Sequence, residues 1–251
     1  MIKVIKIGGK LVENDESLNL LVDELSKSYP NCVLIHGGGS MAGQLATRLG
    51  IPTQMHEGRR ITDSETLEVC TMAYAGVANK KIVSRLFANN IIACGLSGCD
   101  MGIVESHKRE IKDIDWGFVG DVDKVNVSAI KMLLDNKILP VISAITCSKD
   151  GQLLNTNADS VAGAVAIALS EIYDVELVFC FDKPGVLLDV DDENSLIPVI
   201  DKAKHKELLA GGLIHSGMLP KLDNAFKTIA QGVKSVRLTS PNQIDGGTII
   251  K

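Results

Sequence analysis

The chain has 251 residues, 45% of them hydrophobic and 23% charged, with a formal net charge of −5. That length allows one large α/β domain or two packed lobes, each with its own core. The acidic balance argues against nucleic acid or an anionic membrane as the main partner, so any bound phosphate must be met locally by a few placed lysines or arginines.

The chain opens on a strand at 2–7, within Val4-Ile5-Lys6-Ile7-Gly8-Gly9-Lys10. Period-two alternation puts Lys6 on the face of Ile2 and Val4 at the strand's carboxyl tip. The two glycines after it let a phosphate approach the backbone, and the lysine supplies a point charge. Leu18, Leu21, Val22 and Leu25 then keep the stripe of an amphipathic helix. A second strand at 32–36 runs into His36-Gly37-Gly38-Gly39-Ser40, which opens another helix. Free N–H groups at such a helix start form an anion site, and glycines remove the side chains that would block it. Gly37, Gly39 and Ala42 also fit the dinucleotide pattern G-x-G-x-x-G/A, with Glu57 about 20 residues on. Glu57, however, lies in a polar stretch and not at the end of an apolar strand, which argues against a dinucleotide site. His36 reads as a structural hydrogen-bonding residue, not a base.

Gly58-Arg59-Arg60-Ile61-Thr62 follows. An arginine here can grip a carboxylate through two parallel hydrogen bonds, although the pair reads equally as two solvated arginines. Thr62 with Glu65 makes a capping-box signature for a helix carrying Leu67, Cys70, Tyr74 and Val77. Strands are expected at 91–95, 138–143, 175–181 and 234–238, with added hairpins at 102–107 and 117–125. Asn155-Thr156-Asn157-Ala158-Asp159 leads into a small-residue helix ending at Ser170, and its amides and carboxylate serve equally well as helix caps. A seam between two lobes is expected near Glu171, giving lobes at 1–170 and 171–251. Leu219, Leu222, Phe226 and Ile229 mark a last helix with Lys221 at its start. Strands alternating with helices in this way imply a mostly parallel sheet with helices on both faces.

Six scattered cysteines (Cys32, Cys70, Cys94, Cys99, Cys147 and Cys180) form no C-x-x-C pair and read as reduced core thiols. No apolar run approaches the roughly 20 residues needed to span a bilayer. The first residues are too few and too charged for a signal peptide, so a cytoplasmic protein is expected. Familiar catalytic signatures are missing. Gly212 and Gly217 have the first spacing of a Walker A loop, but Met218-Leu219 follows. There is no H-E-x-x-H, G-x-S-x-G, H-R-D or D-F-G.

Taken in order, the motifs resemble the amino acid kinase family, in particular its acylglutamate-phosphorylating branch, along the whole chain. They include Lys6-Ile7-Gly8-Gly9, His36-Gly37-Gly38-Gly39, Gly58-Arg59-Arg60-Ile61-Thr62-Asp63, Asn79-Lys80 and Gly95-Leu96-Ser97-Gly98. They continue through Gly117 to Val122, Leu139 to Ser143, Asn155 to Asp159, Gly185-Val186-Leu187 and Gly217-Met218-x-x-Lys221. The resemblance implies a three-layer αβα sandwich with a mostly parallel central sheet. The N-terminal lobe would bind the acylamino acid and the C-terminal lobe ATP. Lys6 and Lys221 would hold the transferring phosphoryl group and the β-phosphate, and Asp159 would orient both lysines. Gly8, Gly9, Gly37 and Gly38 would approach phosphoryl and substrate through backbone N–H groups. Arg60 and Asn155 would bind the substrate's α-carboxylate end, and Asp182 with the Gly185 turn would line the nucleotide pocket. Mg²⁺ would be held mainly by the nucleotide phosphates, with no dedicated protein metal site.

Some positions depart from the family's pattern. Ser40 stands where proline is frequent, Cys99 and Met101 occupy a loop that usually reads Gly-Lys-Asp-Gly, and Arg59 replaces a common apolar residue. The acyl group is therefore expected to be N-acetyl by default, with N-succinyl open. A succinyl carboxylate would need a further cation, and no single residue announces that role. Family members inhibited by arginine carry an extra N-terminal helix and a Thr-Asp-x-Gly-x-Gly-Thr-like segment. The first strand here begins at Ile2, and Ile244-Asp245-Gly246-Gly247-Thr248 keeps only a remnant of that segment. A homodimer insensitive to arginine is expected, taking only small-molecule substrates.

Overall fold

The computed structural model describes residues 1–189, 191–210 and 219–251. Its strands are β1 (Ile2–Ile7), β2 (Cys32–His36), β3 (Gln54–His56), β4 (Arg59–Ile61), β5 (Ala93–Ser97), β6 (Val104–Lys108) and β7 (Val119–Val125). They continue as β8 (Leu139–Ser143), β9 (Ile145–Cys147), β10 (Leu153–Thr156), β11 (Val175–Cys180), β12 (Val199–Ile200), β13 (Ser235–Thr239) and β14 (Thr248–Ile250). The helices are α1 (Gly9–Glu13), α2 (Asp15–Ser28), α3 (Gly39–Leu49), α4 (Ser64–Thr71), α5 (Asn79–Ala88), α6 (Val127–Asp135), α7 (Ala158–Ser170), α8 (Lys202–Ala210) and α9 (Leu219–Ala230).

The central sheet runs β12-β14-β13-β11-β1-β2-β8-β5, and its pairs are parallel except β13 with β14. Within this sheet, the strands from the first 170 residues lie on one side of the β1–β11 junction and the later ones on the other. Alternation along each strand feeds two cores. Ile2 and Val4 of β1, with Val33 and Ile35 of β2, pack with Val161, Val165 and Leu169 of α7 and Leu222 of α9. Ile5, Ile7 and Leu34 pack on the other face with Leu18, Leu21, Val22 and Leu25 of α2 and Ile82 and Leu86 of α5. At roughly 1.5–3 kcal/mol per fully buried aliphatic side chain, these layers fix the register of the sheet. The expected αβα sandwich and mostly parallel sheet are found.

The C-terminal loop is tied to the sheet from inside. Arg237 of β13 donates through Nε and Nη2 to Glu176 Oε1 of β11 (3.1 and 2.9 Å). Its Nη1 donates to the carbonyls of Asp245 and Gly246, 2.8 Å each.

Several expectations need correction. The segments read as separate hairpins pair with each other: β6 runs antiparallel to β7, and with β9 and β10 they close a small barrel. β9 and β10 have only three and four residues, too few to show a period in the sequence. The strand expected at 91–95 begins later, at Ala93, because the Ile91 N–H donates to Leu86 O (3.0 Å) and closes α5. Thr62 is not the cap of α4; Asp63 is, its carboxylate accepting from Thr66 N at 2.8 Å. The stripe of α4 also breaks. A π-helical turn at Met72–Ala78 adds a residue to the winding, so Leu67, Cys70 and Tyr74 are buried while Val77 is 59% exposed.

Candidate active site

The carboxyl ends of β1 and β2, the start of α7, strand β4 and the start of α9 surround a cleft of about 1100 Å³. It is lined by Lys6, Gly9, Gly37, Gly38, Arg60, Asn155, Asp159 and Lys221 among others. Residues from 6 to 221 thus meet where an open parallel sheet is expected to bind its ligands. Gly8, Asp182 and Gly185 are not part of this lining. Gly185 is required for packing: a Cβ there would meet Leu196 Cδ1 and Thr248 Oγ1 at 2.7 Å. Gly217 and Met218, of the motif before Lys221, lie outside the described residues.

Lys6 is the last residue but one of β1, between Ile35 of β2 and Phe179 of β11. Its Nζ lies 2.8 Å from Asp159 Oδ1, with the lysine side chain 19% and the aspartate 49% exposed. Asp159 is held there by the start of α7, where Asn157 Oδ1 accepts from Asp159 N (2.8 Å) and Ser160 N (3.1 Å). The helix start therefore presents a carboxylate to Lys6 while its own N–H groups are satisfied. Lys221 also lines the cleft, its Nζ 4.7 Å from the centroid of the Phe181 ring, while the ion pair of Asp159 among the described residues is with Lys6.

The glycine turns are built for close approach. A Cβ on Gly9 would lie 3.3 Å from Gly38 Cα, so the turns after β1 and β2 touch. A Cβ on Gly38 would lie 2.7 Å from Cδ1 of Tyr74, a buried ring. Gly38 is the N-cap of α3 and supplies no side-chain cap, so the first-turn N–H groups at this wall of the cleft have no capping side chain. His36 lies beneath, fully buried. Its Nδ1 donates to Gly37 O (2.8 Å) and its Nε2 accepts from Asn79 Nδ2 (3.0 Å). Burial pushes its pKa down to about 4, so the ring is neutral and serves as a strut. Asn79 completes that strut with a bond to Val141 O at 2.9 Å.

Arg60 enters from β4 and donates through Nη2 to Gly39 O (2.9 Å), while its Nη1 is buried without a partner among the described residues. An unpaired guanidinium nitrogen beside a cleft is a place for a carboxylate oxygen. Asn155 of β10 donates through Nδ2 to Thr62 Oγ1 (3.0 Å), which orients its amide. Sequence reasoning missed Thr62 and Tyr74 as members of this site. Burial next to a π-turn and a hydrogen bond between residues far apart in the sequence leave no periodic signal.

The sequence matches the description of the amino acid kinase family over residues 1–240. The chain belongs to the amino acid kinase family. Similar family members include the acetylglutamate kinase of Phocaeicola vulgatus, 48% identical with 99% of this chain and 97% of that protein covered. The acetylglutamate kinase of Methanopyrus kandleri is 36% identical, with 99% and 100% covered. Among solved structures, a Streptococcus mutans protein superposes with a TM-score of 0.79 at 27% identity, covering 100% of this chain and 98% of that one. A carbamate kinase from Giardia superposes with a TM-score of 0.69 at 15% identity, covering 99% and 98%, and shares the fold.

Proposed function

We propose that the protein transfers the γ-phosphoryl group of ATP to the γ-carboxylate of an N-acyl-L-glutamate, N-acetyl by default, as a step of arginine biosynthesis. Family membership makes it a kinase that uses ATP. The observation that carries the substrate reading is the shared cleft. It pairs a phosphate-type cradle of Lys6, Gly9 and Gly38 with a carboxylate-type grip of Arg60 and Asn155. Relatives named acetylglutamate kinase, covered almost end to end, support the same reading.

ATP and a glutamate carboxylate repel one another, so the work of the site is positioning and charge neutralisation. The attacking carboxylate is already ionised at neutral pH and needs no general base. The neutral, buried His36 agrees with that. Lys6, oriented by Asp159, meets charge developing on the transferring phosphoryl oxygens, with glycine N–H groups beside it. Lys221 approaches from the other lobe toward the β-phosphate. Arg60 and the Asn155 amide hold the α-carboxylate end and so set which carboxylate faces the phosphate.

Mg²⁺, when bound, would neutralise phosphate charge. Asp159 already spends an oxygen on Lys6. We read the cation as carried mainly by the nucleotide phosphates. Strands before residue 171 supply the acylglutamate side, and those after it the nucleotide side, where Asp182 and the Gly185 turn would lie near the base. No helix among the described residues is long and apolar enough to cross a membrane. We read the enzyme as a cytoplasmic homodimer. Support comes from Phe87, 80% exposed, and Ile92, 62% exposed, close in sequence to the edge strand β5.

The direct test is ATP turnover with N-acetyl-L-glutamate, N-succinyl-L-glutamate and free glutamate, trapping the acyl phosphate with hydroxylamine. Hydroxamate from the N-acyl substrates but not from free glutamate is expected. Hydroxamate from free glutamate alone would refute the assignment.

A further inference from the structure

Beside the substrate cleft lies a second recess, about 290 Å³ in volume, which shares Arg59, Arg109, Trp116 and Asp121 with it. Lys112 and Glu110 complete most of its wall. Its charges do not cancel. Arg109 is committed to Asp121, donating from Nε to Oδ2 (3.0 Å) and from Nη2 to Oδ1 (2.6 Å), and it lies 5.5 Å from the Trp116 ring centroid. His107, also at the wall, is taken by Asp123, 2.6 Å away. What remains is Arg59 and Lys112 against Glu110, one positive charge in excess. The Arg59 guanidinium makes no hydrogen bond or close ion pair among the described residues, and its charge, after that of Arg109, helps hold the Asp121 carboxyl below its ordinary range.

Arg59 directly precedes Arg60 on β4, and although neighbouring strand side chains leave from opposite faces, both line the substrate cleft. If Arg60 grips the α-carboxylate, the acyl group on the neighbouring nitrogen leaves from the same end of the glutamate. Arg59 lines both the substrate cleft and the recess beside it, so a short arm leaving the cleft on that side meets its guanidinium. A methyl group makes no use of such a place, whereas a carboxylate can be held there through two parallel hydrogen bonds.

We infer that this recess binds a carboxylate at the far end of the substrate's N-acyl group, with Arg59 as the specificity-determining residue. The preferred acceptor is then a glutamate acylated by a short dicarboxylic acid, of which succinyl is the simplest fitting case. This rests on the acylglutamate kinase reading above and narrows its substrate class.

Three acceptors separate the possibilities: N-acetyl-L-glutamate, N-succinyl-L-glutamate and the uncharged amide of the latter, N-succinamoyl-L-glutamate. The full-length protein is assayed with ATP by hydroxylamine trapping. The succinyl compound is expected to exceed the succinamoyl one in kcat/KM by about tenfold or more, a modest figure because Arg59 is exposed. Arg59→Gln should bring that ratio close to one, and the ratio within each protein corrects for any loss of folded enzyme. Equal use of the succinyl and succinamoyl compounds by the wild type, or a preference for N-acetyl, overturns the assignment of the recess and leaves the kinase reading intact. No turnover of any of the three overturns the kinase reading itself.

Discussion

Lys6 Nζ and Asp159 Oδ1 stand 2.8 Å apart, joining the carboxyl tip of β1 to the first turn of α7. The pair is open to solvent on the aspartate side, so it holds a direction more than it adds stability. Its purpose in the proposed reaction is to keep a cation aimed at a phosphoryl group that arrives later. Lys6→Ala should lower kcat roughly 10²–10³-fold, the scale of losing one preorganised donor, and Lys221→Ala should do the same. Steady-state kinetics with unchanged melting temperature would separate this from misfolding. A near-wild-type kcat in either variant would remove that lysine from the chemistry.

Arg60 is a question of substrate grip. Lysine keeps the charge but not the planar fork that bonds Gly39 O with one nitrogen and leaves another free. Arg60→Lys should therefore raise the KM for the acylglutamate strongly and leave the KM for ATP nearly unchanged. Equal changes in both would show that Arg60 supports the loop instead of the substrate.

Gly38 and Tyr74 test the cradle. A methyl group at Gly38 would drive into the Tyr74 ring, so Gly38→Ala should cost about 1–3 kcal/mol of stability and distort the turn. Reducing the ring in a Gly38→Ala, Tyr74→Leu double variant should recover part of the loss in thermal melts. If the double variant is no better than the single one, the contact is not what requires glycine.

His36 gives a pH dependence of known sign. Its folded pKa, about 4, lies below the ordinary value of 6.5. The unfolded chain therefore binds the extra proton first as pH falls, and stability drops between those two values. The full effect is roughly 3 kcal/mol, at 1.36 kcal/mol per unit. Denaturant midpoints measured from pH 7 to pH 4 should fall accordingly, and His36→Gln should flatten that part of the curve. Turnover should show no acidic limb belonging to this ring.

Arg237 and Glu176 form a buried pair, their side chains 10% and 3% exposed. Arg237→Met strands the Glu176 carboxylate and frees the loop at Asp245 and Gly246, at a cost of roughly 3–5 kcal/mol. Replacing both, as Arg237→Met with Glu176→Leu, should recover much of this in chemical denaturation. A double variant as unstable as the single one would place the cost in the loop carbonyls instead.

Much of the arrangement could be read before the structure because it was written in short periods. Lys6 follows from alternation in β1 and the glycines after it, and the stripe Leu18, Leu21, Val22 and Leu25 is all buried as expected. Other parts depend on meetings that a linear reading does not contain. Thr62 looked like a helix cap because Glu65 follows three residues later, yet Asp63 won the capping position and Thr62 turned inward to receive Asn155. Tyr74 sits against Gly38 only because a π-turn rewinds its helix. Arg59 and Arg109 are 50 positions apart and share a wall only where β4 and the small barrel come together. The cation that an acidic acyl arm would need was thus present in the sequence but had no neighbour there to mark it.

The boundary between the two halves of the central sheet has a mechanical meaning. Six consecutive residue pairs, from Ile2 with Val175 to Ile7 with Cys180, fasten β1 to β11 along that boundary. Lys6 is on that line, paired in the backbone with Phe179 on one side and Ile35 on the other. The base of the lysine that would meet the phosphoryl group in the proposed reaction is therefore held by both halves of the sheet at once.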